Sequence, residues 1–215
     1  RRGSWRRRAR RTRSRRGSAA GPAVLVAVIV RRLGVEECAM ADTATTIFPL
    51  EGGCDCRQVR YRIETRPLVV HCCHCRWCQR ESGASFALNA MIESDRVTLL
   101  AGAPEIVDTP SASGLGQKIA RCPCCRIALW SHYAGSGPVI AFMRVGTLDQ
   151  PDRLPPDIHI FTASKQPGVV IPPGMRAVPE YYDREQVWPA ESLKRRHALL
   201  PQIEAYQATL PRAPG

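Results

Sequence analysis

Nine of the ten cysteines in this 215-residue chain fall into three tight groups: Cys54 and Cys56; Cys72, Cys73, Cys75 and Cys78; and Cys122, Cys124 and Cys125. Cys38 stands apart. Disulfide scaffolds space their cysteines through a short chain, whereas tens of residues separate these groups. Adjacent and i,i+2 thiols are poor disulfide partners but good ligands for one ion. The groups therefore read as metal sites, which implies a reducing compartment.

Cys54 and Cys56 lie two residues apart, so on an extended segment both thiols point to the same side and can share an ion. Two thiolates do not complete a tetrahedron. The matching pair is Cys122 and Cys125 in "RCPCCRIALW", which have the C-x-x-C spacing. Together these four make a closed thiolate set suited to structural zinc, stapling the start of the fold to its middle.

The stretch "HCCHCRWCQR" offers two registers. Cys73, Cys75 and Cys78 read C-x-C-x-x-C, while Cys72, Cys75 and Cys78 read C-x-x-C-x-x-C. The second resembles part of a ferredoxin run, but no further cysteine follows until Cys122, so iron–sulfur is the lesser alternative. Three thiolates within six residues approach an ion from one side and leave the other side open. That is the ligand count of a catalytic or exchange site, where zinc would hold an incoming thiol in its nucleophilic form. His71 and His74 are read as bystanders, as are the spare thiols Cys72 and Cys124.

The formal charge of +12 does not make the whole chain a nucleic-acid binder. Residues 1–39 hold 12 arginines and 2 acids, which leaves +2 for everything that follows. The basic charge belongs to a tail that cannot form a core. Its apolar run, residues 23–30, falls short of the roughly 20 residues that span a bilayer. Residues 1–39 are read as an Arg-rich extension, disordered or not native to the protein, with "MADTATTIFPLEGGC" from Met40 resembling a natural start.

Between the cysteine groups, "VRYRIE" alternates Val59, Tyr61 and Ile63 with charged residues at the period of a half-buried strand. "SFALNAMI", "RVTLLAG", "QKIARC", "IALWSHY" and "PVIAFMR" are further strands, punctuated by Gly and Pro. No long helical pattern precedes residue 185. "PAESLKRRHALLPQIEAYQ" reads as a helix that starts at Pro189, carries Leu193, Leu199 and Leu200 partly on one side, and breaks or kinks at Pro201. Residues 150–180 read as loops wrapping the sheet. The expected division is thus extension 1–39, a mainly β zinc domain 40–185 and a helical tail 186–215.

"GGCDCRQVRY", "CHCRWCQRESGASF", "RCPCCRIALW", "VGTLDQP" and "HIFTASK" occur in the order found in the glutathione-dependent formaldehyde-activating enzyme family, which includes centromere protein V. The resemblance covers about residues 50–166. It implies a zinc-bound β-tent fold with two metal sites. Cys54, Cys56, Cys122 and Cys125 match the structural zinc ligands; Cys73, Cys75 and Cys78 match the labile or catalytic ones. The implied activity is that of a cytoplasmic carbon–sulfur lyase, condensing formaldehyde with glutathione to S-hydroxymethylglutathione. The implied partners are a small-molecule thiol and an aldehyde; no membrane is expected, and the near-neutral body argues against a nucleic-acid surface on the domain itself. The alternative is a non-catalytic zinc module that binds a partner, as the centromere relatives suggest.

This chain also departs from the family pattern. Arg57 and Arg126 stand where the family usually has Gly after the second knuckle cysteine; in a left-handed backbone each would cost roughly 1–2 kcal/mol. The usual basic pair after the catalytic group is Gln79-Arg80, and the tryptophan common after Ser-Lys is missing around Gly168. Arg80, Ser82 and Lys165 are read first as solvated groups and second as contacts to a carboxylated thiol. Trp130 and Phe142 are read as core.

Overall fold

The computed structural model describes residues 48–111 and 114–210. The Arg-rich extension 1–39 and its apolar run lie outside the described residues. The order of elements is β1 (Leu50–Gly53), β2 (Arg60–Ile63), β3 (Val69–Cys73), α1 (Arg76–Ser82), β4 (Ala87–Glu93), β5 (Val97–Ala101), β6 (Glu105–Thr109), β7 (Gln117–Arg121), β8 (Ala128–Tyr133), β9 (Ile140–Arg144), β10 (Ile158–Ile160), α2 (Arg184–Val187) and α3 (Ala190–Gln207). The fold is mainly β with few helices, as expected. Among the described residues no helix is long and apolar enough to cross a membrane.

Two sheets form. A small antiparallel one has the order β1-β2-β5, and a larger mixed one has the order β10-β3-β4-β9-β8-β7-β6. Strand alternation gives the larger sheet two apolar faces. Val70, Ala90, Ile92, Trp130, Ala141 and Met143 face a core completed by Val59 and by Tyr61 and Ile63 of the small sheet. Val69, Met91, Ile140, Ile158 and Ile160 face a second core closed by Trp188 and Ile203. With both faces buried, β3 and β4 are apolar almost throughout and show no clean period of two. That explains why "VVHCC" carries no strand signal of its own while "VRYRIE" does.

Residues 150–180 hold more than wrapping loops. Ile158–Ile160 adds a parallel edge strand to β3, with His159 opposite Cys72 and Ile160 opposite Cys73. Its three residues are too short to carry a readable period. In α3, Leu193, Leu199 and Ile203 pack on the second core, and the helix runs through Pro201 without ending. Tertiary contacts hold the segment together: Arg195 donates to both carboxylate oxygens of the buried Glu93 on β4, at 2.7 and 2.5 Å.

Candidate metal centres and the cavity beside them

The first and third cysteine groups fold into two similar knuckles. In one, the Cys54 N–H donates to the Val59 carbonyl at 3.1 Å and the Arg57 N–H to the Cys54 carbonyl at 3.0 Å. In the other, the Cys122 N–H donates to the Ile127 carbonyl at 2.9 Å and the Arg126 N–H to the Cys122 carbonyl at 3.0 Å. Each turn needs a left-handed residue after its second cysteine, and Arg57 (φ 62°) and Arg126 (φ 63°) supply it against their steric preference. The four sulfurs converge, all within 4.8 Å of one another. Cys56 Sγ lies 3.5 Å from Cys54 Sγ and 3.6 Å from Cys122 Sγ. These separations are too long for disulfides and close to the about 3.8 Å that a tetrahedron of 2.3 Å zinc–sulfur bonds requires. The donor set fits zinc. The backbone N–H groups of Cys56 and Ile127 hold the Cys125 thiol down to about 6, favouring the thiolate that a metal needs.

The middle group splits across β3. Its alternation turns His71 and Cys73 toward the second core and Cys72 toward the opposite side. Cys73 ends the strand, Cys75 is the N-cap of α1 with its sulfur accepting from the Cys78 N–H at 3.3 Å, and Cys78 sits in the first turn. The three sulfurs of Cys73, Cys75 and Cys78 lie within 4.8 Å of one another, so the C-x-C-x-x-C register is the one the fold brings together. Hydrogen bonds from the Cys73 and Cys78 thiols, then from the Cys78 and Trp77 amides, hold Cys75 down at about 2. Cys78 is driven in the opposite direction by the same neighbours. The amides of Cys78 and Trp77 thus favour the thiolate form of Cys75, the form that a metal needs.

Gln79, which stands in place of a basic residue, and Ser164 brace this turn. Gln79 Nε2 donates to the His74 carbonyl at 2.6 Å and to the Ser164 carbonyl at 2.9 Å, and Ser164 Oγ donates to the same His74 carbonyl at 2.9 Å. The Ser164 contact gives "TASK" a structural reason: it ties the loop after β10 to the start of α1. Gly83 ends α1 in a left-handed conformation (φ 68°), the usual reason for glycine after a helix.

Cys72, His74 and His159 form a third buried group of potential ligands. Here the geometry differs. His74 Nε2 and His159 Nδ1 are 2.9 Å apart and the ring centroids 5.2 Å apart, a difference that the two ring radii take up. The nitrogens thus meet head on in an N–H···N hydrogen bond, which leaves no space for an ion between them. Burial pushes both imidazoles below their usual range, as a neutral pair sharing one proton requires.

On the open side of Cys73, Cys75 and Cys78 lies a cavity of about 390 Å³. Trp77, Tyr133, Phe142, Ile160, Phe161 and Tyr181 make its apolar walls. His71 and Asn89 also face it. The His71 Nε2 lies 2.5 Å from Tyr182 Oη, and burial pushes its pKa to about 4. Burial also raises Tyr133, which keeps its proton. A larger cavity of about 650 Å³ beside Tyr206 touches no cysteine.

The other expectations divide. Trp130 belongs to the first core as expected. Phe142 packs on the second core, as expected, and also lines the cavity. Arg80 is exposed on α1, Ser82 Oγ donates to the Cys78 carbonyl at 2.7 Å, and Lys165 Nζ donates to the Val169 carbonyl at 2.6 Å. None of these three lines the cavity. Cys124 is exposed between two knuckle cysteines.

A family model described as glutathione-dependent formaldehyde-activating enzyme matches residues 49–164, a span that includes all three cysteine groups. No curated protein matches the chain. Among solved structures, the crystal structure of a Rhodobacter sphaeroides protein aligns at 20% identity over 46% of this chain and 88% of that one, with a TM-score of 0.37.

Proposed function

Since the chain belongs to the glutathione-dependent formaldehyde-activating enzyme family, we propose that it is a zinc-dependent carbon–sulfur lyase acting on a thiol–aldehyde adduct. S-hydroxymethylglutathione is the adduct that the family description implies. The family includes enzymes, and its theme is glutathione and formaldehyde. The observation that carries the reading is the one-sided set of Cys73, Cys75 and Cys78 beside a cavity of substrate size.

In this reading Cys54, Cys56, Cys122 and Cys125 hold a structural ion, and Cys73, Cys75 and Cys78 hold an exchangeable one. Zinc bound by three thiolates supplies a Lewis-acidic centre with a position left over for an incoming thiol, favouring its nucleophilic form. The chain's own groups bind and orient the reactants. The thiol sulfur attacks the carbonyl carbon, a C–S bond forms, and the thiol proton ends on the oxygen; the lyase direction reverses each change. Tyr133 keeps its proton and can donate to that oxygen. Asn89 has its Oδ1 occupied by Arg144, which leaves the amide N–H groups for the same task. Aromatic walls exclude bulk water. Thiols add to aldehydes unaided, so the protein contributes chiefly concentration and orientation. Thiolate ligands require a reducing compartment, and the cytoplasm is the proposed location.

Two measurements test this. Formaldehyde–glutathione condensation is followed with and without the zinc-loaded protein; equal rates would sink the lyase reading in favour of the non-catalytic module. Metal analysis of Cys75→Ser should show one zinc per chain in place of two, in a protein that stays folded. Collapse of that variant would refute the open-site assignment.

A further inference from the structure

The cavity beside Cys73, Cys75 and Cys78 is built unlike a site for glutathione. That tripeptide carries two carboxylates and an ammonium group, and burying ionised groups without partners is costly. Among the described residues lining the cavity there is no Lys, Arg, Asp or Glu. Six apolar or aromatic side chains dominate its wall, with two of them, Tyr133 and Phe142, packed edge to face at 4.7 Å. The polar groups are neutral in type: the Asn89 amide, the Tyr133 phenol, a serine hydroxyl and the His71 imidazole, which is engaged with Tyr182.

Three nearby cations are paired elsewhere. Arg144 reaches Asn89 from a different cavity, where it and Arg121 both pair with Glu81, while Arg126 pairs with Glu105. Arg184 lies near enough to His71 and Tyr181 to act on both electrostatically but does not itself line the cavity. Lys165 and Arg80, the cations that could meet a carboxylated thiol, also lie off the cavity. Lys165 is held by backbone carbonyls of its own loop, and Arg80 is exposed away from the cavity.

Resting on the lyase reading, we infer that this cavity selects the substituent of the adduct by apolar and aromatic contact. Its substrate is a thiol–aldehyde adduct carrying an aromatic or branched alkyl group, with no ionised group near the sulfur. The adduct hydroxyl is directed to Tyr133 and Asn89. A volume of about 390 Å³ accommodates one ring and the reacting atoms.

The test uses the zinc-loaded protein with phenylmethanethiol and glutathione as probes. Binding is followed by quenching of tryptophan fluorescence, to which the cavity residue Trp77 contributes, and checked by calorimetry. Addition of each thiol to formaldehyde is then timed against the uncatalysed reaction. Phenylmethanethiol should bind about tenfold more tightly or better, equivalent to ~1.4 kcal/mol. Tyr181→Arg, which places a cation at the wall, should shift the preference toward glutathione while zinc content stays at the wild-type value. Glutathione binding as tightly as phenylmethanethiol, or losing affinity in Arg184→Gln, overturns the inference. The two readings fail differently. Preferred binding of the aromatic thiol without acceleration supports this cavity assignment and sinks the lyase; preferred binding and acceleration of glutathione does the reverse.

Discussion

Replacing Arg57 by glycine should stabilise the protein, because the knuckle it closes demands a left-handed backbone. At φ 62° a residue with a Cβ sits in a conformation disfavoured by roughly 1–2 kcal/mol. Glycine removes that cost but loses about 0.5–1 kcal/mol through the greater freedom of the unfolded chain. The side chain of Arg57 is exposed, so its removal forfeits little. The net expectation is a gain of roughly 0.5–1 kcal/mol. For a domain of this size that amounts to a rise of roughly 1–4 °C in Tm. Thermal unfolding of zinc-loaded Arg57→Gly, Arg57→Ala and wild type by circular dichroism would measure it. Alanine keeps the Cβ and should leave Tm within about a degree of wild type. An equal rise for alanine and glycine would show that charge removal, not backbone relief, is responsible. Arg126→Gly should gain less, since it also breaks the exposed pair with Glu105.

Other perturbations separate the parts of the fold. Cys122→Ser should unfold or aggregate the protein, and chelator titration should remove one zinc without changing the circular dichroism and the second only with unfolding. Tyr61 is buried; its hydroxyl lies 2.7 Å from Thr147 Oγ1, which itself donates to the Arg144 carbonyl, so Tyr61 is the donor. Burial raises its pKa from 10.0 to about 12, so the folded state keeps a proton that the unfolded state releases, and stability falls as pH climbs from 10 to 12. Tyr61→Phe should cost about 1 kcal/mol at pH 7 and make that alkaline fall shallower in urea titrations; an unchanged slope would contradict the assignment. Arg195→Ala should cost about 2 kcal/mol by chemical denaturation. That is less than the 3–5 kcal/mol of a fully orphaned buried charge, because Arg96 still pairs with Glu93 at 3.3 Å. A loss below about 0.5 kcal/mol would mean that α3 is held by its apolar face alone.

Much of the fold could be read from strands that bury one face. Tyr61 and Ile63 alternate with Arg60 and Arg62, and that period survives in β2. The strand carrying the middle cysteines was not legible, because both of its faces are buried and its residues alternate between two cores. The helix α1 escaped notice for another reason: seven residues from Arg76 to Ser82 show no apolar period, and a cysteine cap with Gly83 defines them. Ile158–Ile160 was hidden inside a Pro-rich stretch and becomes a strand only because β3 offers it an edge. That His71 and Phe142 line a cavity is not legible in the sequence, since periodicity says that a residue is covered, not whether a neighbour or a cavity covers it.

Cysteine spacing alone was enough to propose a closed set of four thiols and an open set of three. Spacing constrains which sulfurs can converge locally, and the two-residue and three-residue gaps admit few geometries. The convergence of knuckles some seventy residues apart is tertiary: the end of β1 in the small sheet meets the end of β7 in the large one. Between the two registers of "HCCHCRWCQR", spacing could not choose. The pleat of β3 did, sending Cys73 toward the cavity and Cys72 to the opposite side. The character of that cavity is likewise tertiary: its six walls come from α1, β8, β9, β10 and two loops, and no local stretch of sequence contains them.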